Sequence, residues 1–237
     1  LIWARDDDGD VRGFLVPPDS PGFLTIPIKR KMSLRASVTS ELVLDDGRLA
    51  LTANADLADP LLTLRCARVA AEHDAYLQRG SLERLADNAP VLSDPWPDEA
   101  REMFVALLAT GPSAIPIIED LDHVGLFVQL VPEWEPCRSR PQRNAYHRFT
   151  VDRHLMEAAA EASRLVDRVD RPDLLLVGAL FHDIGKGYPG DHTEVGVGLL
   201  RTIATRMGFD ADDVETLVAM VQHHLLLPDV ATRRDLD

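Results

Sequence analysis

The chain has 237 residues, 46% apolar and 27% charged, and its 25 Lys plus Arg face 39 Asp plus Glu for a formal net charge of −14. This is the composition of a folded globular protein, and its acidity argues against general nucleic-acid binding, which depends on basic neutralisation of phosphates. The longest clean apolar run, Leu174 to Phe181, is far too short to cross a bilayer, and the two cysteines, Cys66 and Cys137, lack the spacing of a disulfide framework or a thiolate zinc site. The expectation is a soluble, cytoplasmic protein with neither membrane nor nucleic acid as partner. A start at Leu1, inside an apolar run and without a leader, predicts a piece of a longer chain.

From Leu1 to about residue 55 the pattern is strand-like. Asp45-Asp46-Gly47 between Leu42-Val43-Leu44 and Leu49-Ala50-Leu51 predicts a hairpin, and Asp6 to Asp10 predicts an exposed loop of mutually repelling carboxylates. Asp59-Pro60 opens a helix whose apolar positions, Leu61 to Ala70, recur at helical spacing, with Tyr76-Leu77 ending the run. Helices follow at Ser81 to Ala86, Pro97 to Ala109 and Ser113 to His123, separated by Gly111-Pro112 and bounded by Val131-Pro132. His73 and His123 have no other ligand-type residue at metal spacing and read as surface residues. Arg138, Arg140, Arg143 and Arg148 form a basic stretch in an acidic chain, either a solvated loop or an approach for an anionic substrate. The organisation expected is a strand-rich piece over 1–58, a helical segment over 59–137 and an all-helical unit over 138–237.

Six of the eight histidines lie from His147 onward. Asp152 to Val169 has helical period with His154 at its start. The buried apolar helix through Leu174 to Phe181 ends on His182-Asp183, and Asp183 at such a tip needs a cation or a paired charge. Asp191 and Glu194 form a capping box at the start of the next helix, beside His192, and Gly208 ends it. Asp210 opens a last helix with the stripe Val214, Leu217, Val218, Val221 and Leu225, flanked by His223 and His224 and stopped by Pro228. Four helices thus each bring an imidazole toward an inward face, and one adds a carboxylate. That is the N/O donor set of Zn, Fe, Mn or a similar divalent ion.

His154, His182-Asp183, His192 and His223-His224 together resemble the HD-domain phosphohydrolases, all-helical bundles that hold one or two divalent metals. More specifically, Tyr146 to His154, His182 to Gly187, Gly190-Asp191-His192 and the run His223 to Asp237 are similar to the HD domain of the bifunctional PII uridylyltransferase/uridylyl-removing family. Pro132 to Glu135 and Arg138 to Asn144 resemble the helical segment before that domain. The resemblance implies a mainly α fold: an HD bundle preceded by a helical segment and a small N-terminal region containing a β-hairpin. It implies flanking nucleotidyltransferase and ACT domains, whose motifs do not occur in this chain. It also implies that a later Asp completes the metal shell beyond Asp237, in place of Asp229 or Asp235, so that the shell here is incomplete or water-filled.

The function implied is metal-dependent hydrolysis of a nucleotidyl group, UMP or AMP, from a tyrosine of the nucleotidylated PII signalling protein. His154, His182, Asp183, His192, His223 and His224 are the metal ligands under this reading, with one or two ions of Mn, Mg, Fe or Zn. His182, Asp183 and Lys186 are catalytic, and Arg143, Arg148 and Lys186 meet the substrate phosphate. Two alternatives keep the same residues: hydrolysis of a free nucleotide, and a non-catalytic module that binds metal or nucleotide. A cyclic-dinucleotide esterase is disfavoured because Gly187-Tyr188-Pro189 follows His182-Asp183 rather than the later histidine pair.

Overall fold

The structure, a computed structural model, describes residues 2–5, 11–14, 42–45, 47–142 and 148–233. The predicted loop at 6–10 lies outside these residues, as do Arg143, His147 and Asp235. Strands β1 (Ile2–Arg5) and β2 (Val11–Phe14) pair antiparallel. So do β3 (Leu42–Asp45) and β4 (Arg48–Leu51), with Asp45 opposite Arg48. The tight connection uses Gly47 at φ +70°, the left-handed backbone that an Asp-Gly turn supplies.

Helix α1 (Leu62–Glu72) starts where one oxygen of Asp59 accepts the Leu61 N–H at 2.9 Å and the other accepts the Arg65 guanidinium at 2.9 Å. It stops earlier than its apolar pattern predicts. Asp74, at φ +48°, reverses the chain, and Tyr76–Leu77 becomes β5, parallel to β4. The Tyr76 and Gln78 N–H groups donate to the Gly47 and Leu49 carbonyls, both at 2.9 Å. The edge of β4 offered partners that a longer helix could not use.

Helices α2 (Arg79–Asn88), α3 (Asp98–Ala109) and α4 (Ala114–His123) lie where the sequence places them, and α5 (Leu126–Leu130) follows Gly125 at φ +81°. A tight 3₁₀ segment spans Pro132–Cys137. The second half is α6 (Val151–Ala162), α7 (Pro172–Phe181), α8 (His192–Arg206), α9 (Ala211–Gln222) and α10 (Leu226–Arg233). The helix predicted to reach Val169 ends at Ala162 and tightens into a 3₁₀ turn over Ser163–Arg168, because Leu165 and Val169 find no core and stand 42% and 41% exposed. Pro228 does not stop α9. That helix already ends at Gln222, and Pro228 sits in the first turn of α10, where a missing N–H costs no helical bond. Leu225, the last member of the predicted stripe, is exposed for the same reason.

Helix α7 is apolar on all sides because it is packed on all sides: Leu176, Val177, Leu180 and Phe181 are fully buried. The core continues through the first half, where Trp96, Phe104, Phe127 and Trp134 form a chain of ring contacts with centroids 5.0–6.2 Å apart. This packing fixes the C-terminal tip of α7. Among the described residues no single helix is long and apolar enough to cross a membrane.

Candidate metal centre

The buried end of α7 delivers His182 and Asp183 to a point where three other helices converge. Asp183 is 3% exposed. The first turn of α6 brings His154. The Asp191 carboxylate accepts the Thr193 and Glu194 N–H groups at 2.9 and 3.0 Å, which fixes the start of α8 at His192. The break after α9 turns His224 inward.

The carboxylate of Asp183 has two faces. Its Oδ2 lies 3.3 Å from His154 Nε2, 3.3 Å from His182 Nε2 and 2.6 Å from the Lys186 ammonium. Its Oδ1 lies 3.3 Å from His224 Nε2 and 3.7 Å from His192 Nε2. Two groups able to hold a cation result, His154–His182–Asp183 and Asp183–His192–His224, each with its donor atoms within 4.8 Å of one another.

Backbone carbonyls set the imidazole tautomers. His182 Nδ1 is 2.8 Å from the Ala179 carbonyl and His224 Nδ1 is 2.6 Å from the Val221 carbonyl. A carbonyl only accepts, so each Nδ1 carries its proton, and Nε2 of the neutral ring presents a lone pair to Asp183. His154 and His182 also oppose their Nε2 atoms at 3.2 Å. The lone pairs that His182 and His224 turn toward a carboxylate call for positive charge among them. Although His224 Nε2 and Asp183 Oδ1 are close, neither has an aligned hydrogen-bond partner among the described residues. Two buried, unsatisfied acceptors on one shared centre, with a nitrogen-rich donor set, fit a divalent cation.

Without a cation, protonated imidazoles supply the positive charge instead. Burial pushes the Asp183 carboxyl up, but the imidazoles of His154, His182 and His224 outweigh it and hold the group far below the usual carboxylate range. The same carboxylate raises His224 above its ordinary value against the opposing effect of burial. Behind the site, burial pushes the Cys137 thiol up to about 12.

His154, His182, Asp183, Lys186, His192 and His224 therefore meet at one point, whereas His223 is exposed and belongs to neither group. Asp229 is exposed on α10 and also stands outside both groups. The basic stretch does not act as a unit. Arg138 donates to Asp122 at 3.0 Å and pairs with Glu135, Arg140 donates to the Gly187 carbonyl at 2.6 Å, and exposed Arg148 lies over the Phe149 ring at 5.6 Å. His73 and His123 are surface residues, as expected. The sequence reading missed Gln142, whose Oε1 accepts from Lys186 at 3.2 Å. Its position in the stretch Arg138 to Asn144 was the available signal.

Residues 151–236, just over a third of the chain, match the HD domain family. The four imidazoles and the buried aspartate of the site all lie within the matched residues. Beyond that match, the chain is similar to bifunctional uridylyltransferase/uridylyl-removing enzymes. It is 49% identical to that of Streptomyces coelicolor over 205 residues, covering 86% of this chain and 24% of the relative. It is 48% identical to that of Mycobacterium tuberculosis over 179 residues, covering 76% and 22%, and 33% identical to that of Corynebacterium glutamicum over 201 residues, covering 85% and 29%. The chain spans about a quarter of the length of these curated relatives.

Proposed function

We propose that this chain carries a metal-dependent phosphodiester hydrolase that removes a nucleotidyl group, UMP or AMP, from a tyrosine of the PII signalling protein. It would work in the cytoplasm beside nucleotidyltransferase and ACT domains. The observation that carries the reading is the single buried carboxylate of Asp183, shared between two imidazole pairs, in a chain similar to enzymes named for uridylyl removal.

His154, His182 and Asp183 would hold one ion, and Asp183, His192 and His224 a second. Four imidazoles to one carboxylate favour Mn, Fe or Zn over Mg, which prefers oxygen ligands. A bound divalent cation supplies Lewis-acid polarisation of a phosphoryl oxygen and makes water a nucleophile near neutral pH. The chain's own residues do the rest. Asp183 fixes the distance between the two positions, and the Ala179 and Val221 carbonyls keep His182 and His224 in the ligating tautomer. Lys186, a point charge beside the carboxylate, is placed to neutralise an entering phosphate, and exposed Arg148 adds charge at the approach. A tyrosyl oxygen, of ordinary pKa about 10, leaves without covalent help from the protein.

The test is release of UMP from uridylylated PII by the intact protein, followed chromatographically. His182→Ala with Asp183→Ala is expected to lower the rate by at least about a hundredfold, while unchanged release would refute the assignment.

A further inference from the structure

The HD-domain match begins at Val151, yet the turn that carries Asp183 and Lys186 is gripped from before that point. Four contacts reach it, each from a different residue of the segment Glu133 to Gln142. The Cys137 thiol donates to the Ile184 carbonyl at 3.3 Å, and Arg140 donates to the Gly187 carbonyl at 2.6 Å. The Tyr188 hydroxyl donates to the Glu133 carbonyl at 3.3 Å, and Lys186 donates to Gln142 Oε1 at 3.2 Å. The packing leaves no slack: a Cβ on Gly187 would stand 2.7 Å from Cys137 Sγ and 3.2 Å from its nitrogen. Glu133 in turn holds Arg206 of α8 through two bonds of 2.8 and 2.5 Å, which ties the same segment to the helix that starts at His192.

We propose that Glu133–Gln142 is part of the hydrolytic site, a brace that positions the Asp183–Lys186 turn, with Gln142 as the residue that sets the Lys186 ammonium. Gln142 suits this role because its amide is oriented from both ends. Its Oε1 accepts from Lys186, and its Nε2 donates to the Phe149 carbonyl at 3.1 Å, just ahead of α6. The Lys186 ammonium is thereby shared between Gln142 and Asp183 Oδ2. Without Gln142 it rests on the carboxylate alone, where it competes with a cation for the same oxygen. Gln142 is a positioning residue and acts through Lys186. The kinetic part of this inference rests on the hydrolase reading above, whereas the cation-binding part does not.

The test is a double-mutant cycle of Gln142→Leu and Lys186→Ala in the intact protein, with Mn²⁺ titrated calorimetrically and UMP release from uridylylated PII measured alongside. Gln142→Leu alone is expected to weaken Mn²⁺ and lower kcat by about tenfold each, the lower end for losing one hydrogen bond to a charged group, with KM unchanged. In the Lys186→Ala background the same substitution is expected to change neither. Gln142→Asn, which keeps the amide and shortens its reach, should fall between wild type and Gln142→Leu. If Gln142→Leu leaves Mn²⁺ affinity unchanged, or lowers it equally with and without Lys186, the inference is overturned. A wild-type protein that binds Mn²⁺ but releases no UMP would instead overturn the hydrolase reading and leave the Mn²⁺ cycle to decide on the brace.

Discussion

Replacing Gly185 with alanine should damage one half of the metal centre and spare the other. Gly185 lies in the 3₁₀ turn Ile184–Gly187, pressed against the first turns of α8. A Cβ there would overlap the His192 carbonyl oxygen and stand 2.7 Å from the Gly196 nitrogen and 2.9 Å from the His192 carbonyl carbon, where ordinary contact begins at 3.4 Å. These are backbone atoms and cannot rotate away. Relief at the Gly196 nitrogen alone needs a retreat of about 0.7 Å, the difference between 3.4 and 2.7 Å, and such overpacking costs about 1–3 kcal/mol. In a chain of this size that lowers Tm by roughly 2–12 °C. The retreating element carries His192, so its 3.7 Å separation from Asp183 Oδ1 should open beyond about 4 Å. His154 and His182, on α6 and at the end of α7, keep their distances to Oδ2. Calorimetric titration with Mn²⁺ should therefore show the loss confined to the Asp183–His192–His224 group, so that His192→Ala adds little to Gly185→Ala while His154→Ala still weakens binding further. A Gly185→Ala protein with wild-type Mn²⁺ affinity and a Tm within about 1 °C of wild type would refute the packing argument.

Other consequences follow from the same contacts. His224→Ala should weaken divalent-cation binding by more than about tenfold while His223→Ala leaves it unchanged, and equal losses by calorimetry would contradict the inward turn after α9. Glu133→Ala strands the Arg206 guanidinium, both side chains being less than a fifth exposed, and should cost about 2–3 kcal/mol, read as a Tm drop of roughly 4–12 °C. Burial raises the Asp173 carboxyl, but its hydrogen bonds from Arg171 prevail and hold it below the ordinary value. The stability from this pair is present above the unfolded value of about 3.9 and is lost as pH falls through the lower folded one. The Tm gap between wild type and Arg171→Ala should accordingly shrink below about pH 4; a gap that is constant from pH 7 to about pH 3 would be inconsistent with this pairing. Cys66 and Cys137 are both buried, and the Cys137 thiol is pushed up to about 12. Neither should react with iodoacetamide at about pH 8 until the protein is unfolded, and rapid labelling of the native protein would count against that burial.

What the sequence reveals here divides by the range of the interaction. The Asp-Gly hairpin, the Asp191 and Asp210 caps and the all-round apolar α7 are local chemistry, and each appears where the residues place it. The convergence of the imidazoles on Asp183 was legible for a related reason. Histidine at the start or end of a well-marked helix has few places to point once the apolar faces are buried. The misreadings occur where a distant partner decides the outcome. Tyr76-Leu77 looks like the end of a helix until β4 presents an open edge, and the run into Val169 looks helical until Leu165 has nothing to cover it.

The α9 break is the instructive case, because the error and the site have one cause. The stripe Val214, Leu217, Val218, Val221 invites continuation to Leu225, and a continuous helix would carry His223 and His224 onward around its axis. Ending at Gln222 instead leaves the Val221 carbonyl without an i+4 partner, so that it accepts the His224 N–H at 3.4 Å and His224 Nδ1 at 2.6 Å. That bond turns the ring inward, fixes its tautomer and brings Nε2 to Asp183, while His223 remains in solvent. Periodicity alone rates the two neighbours alike. The helix end separates them, and it is the price of a shorter apolar stripe that makes His224 a ligand candidate and His223 not.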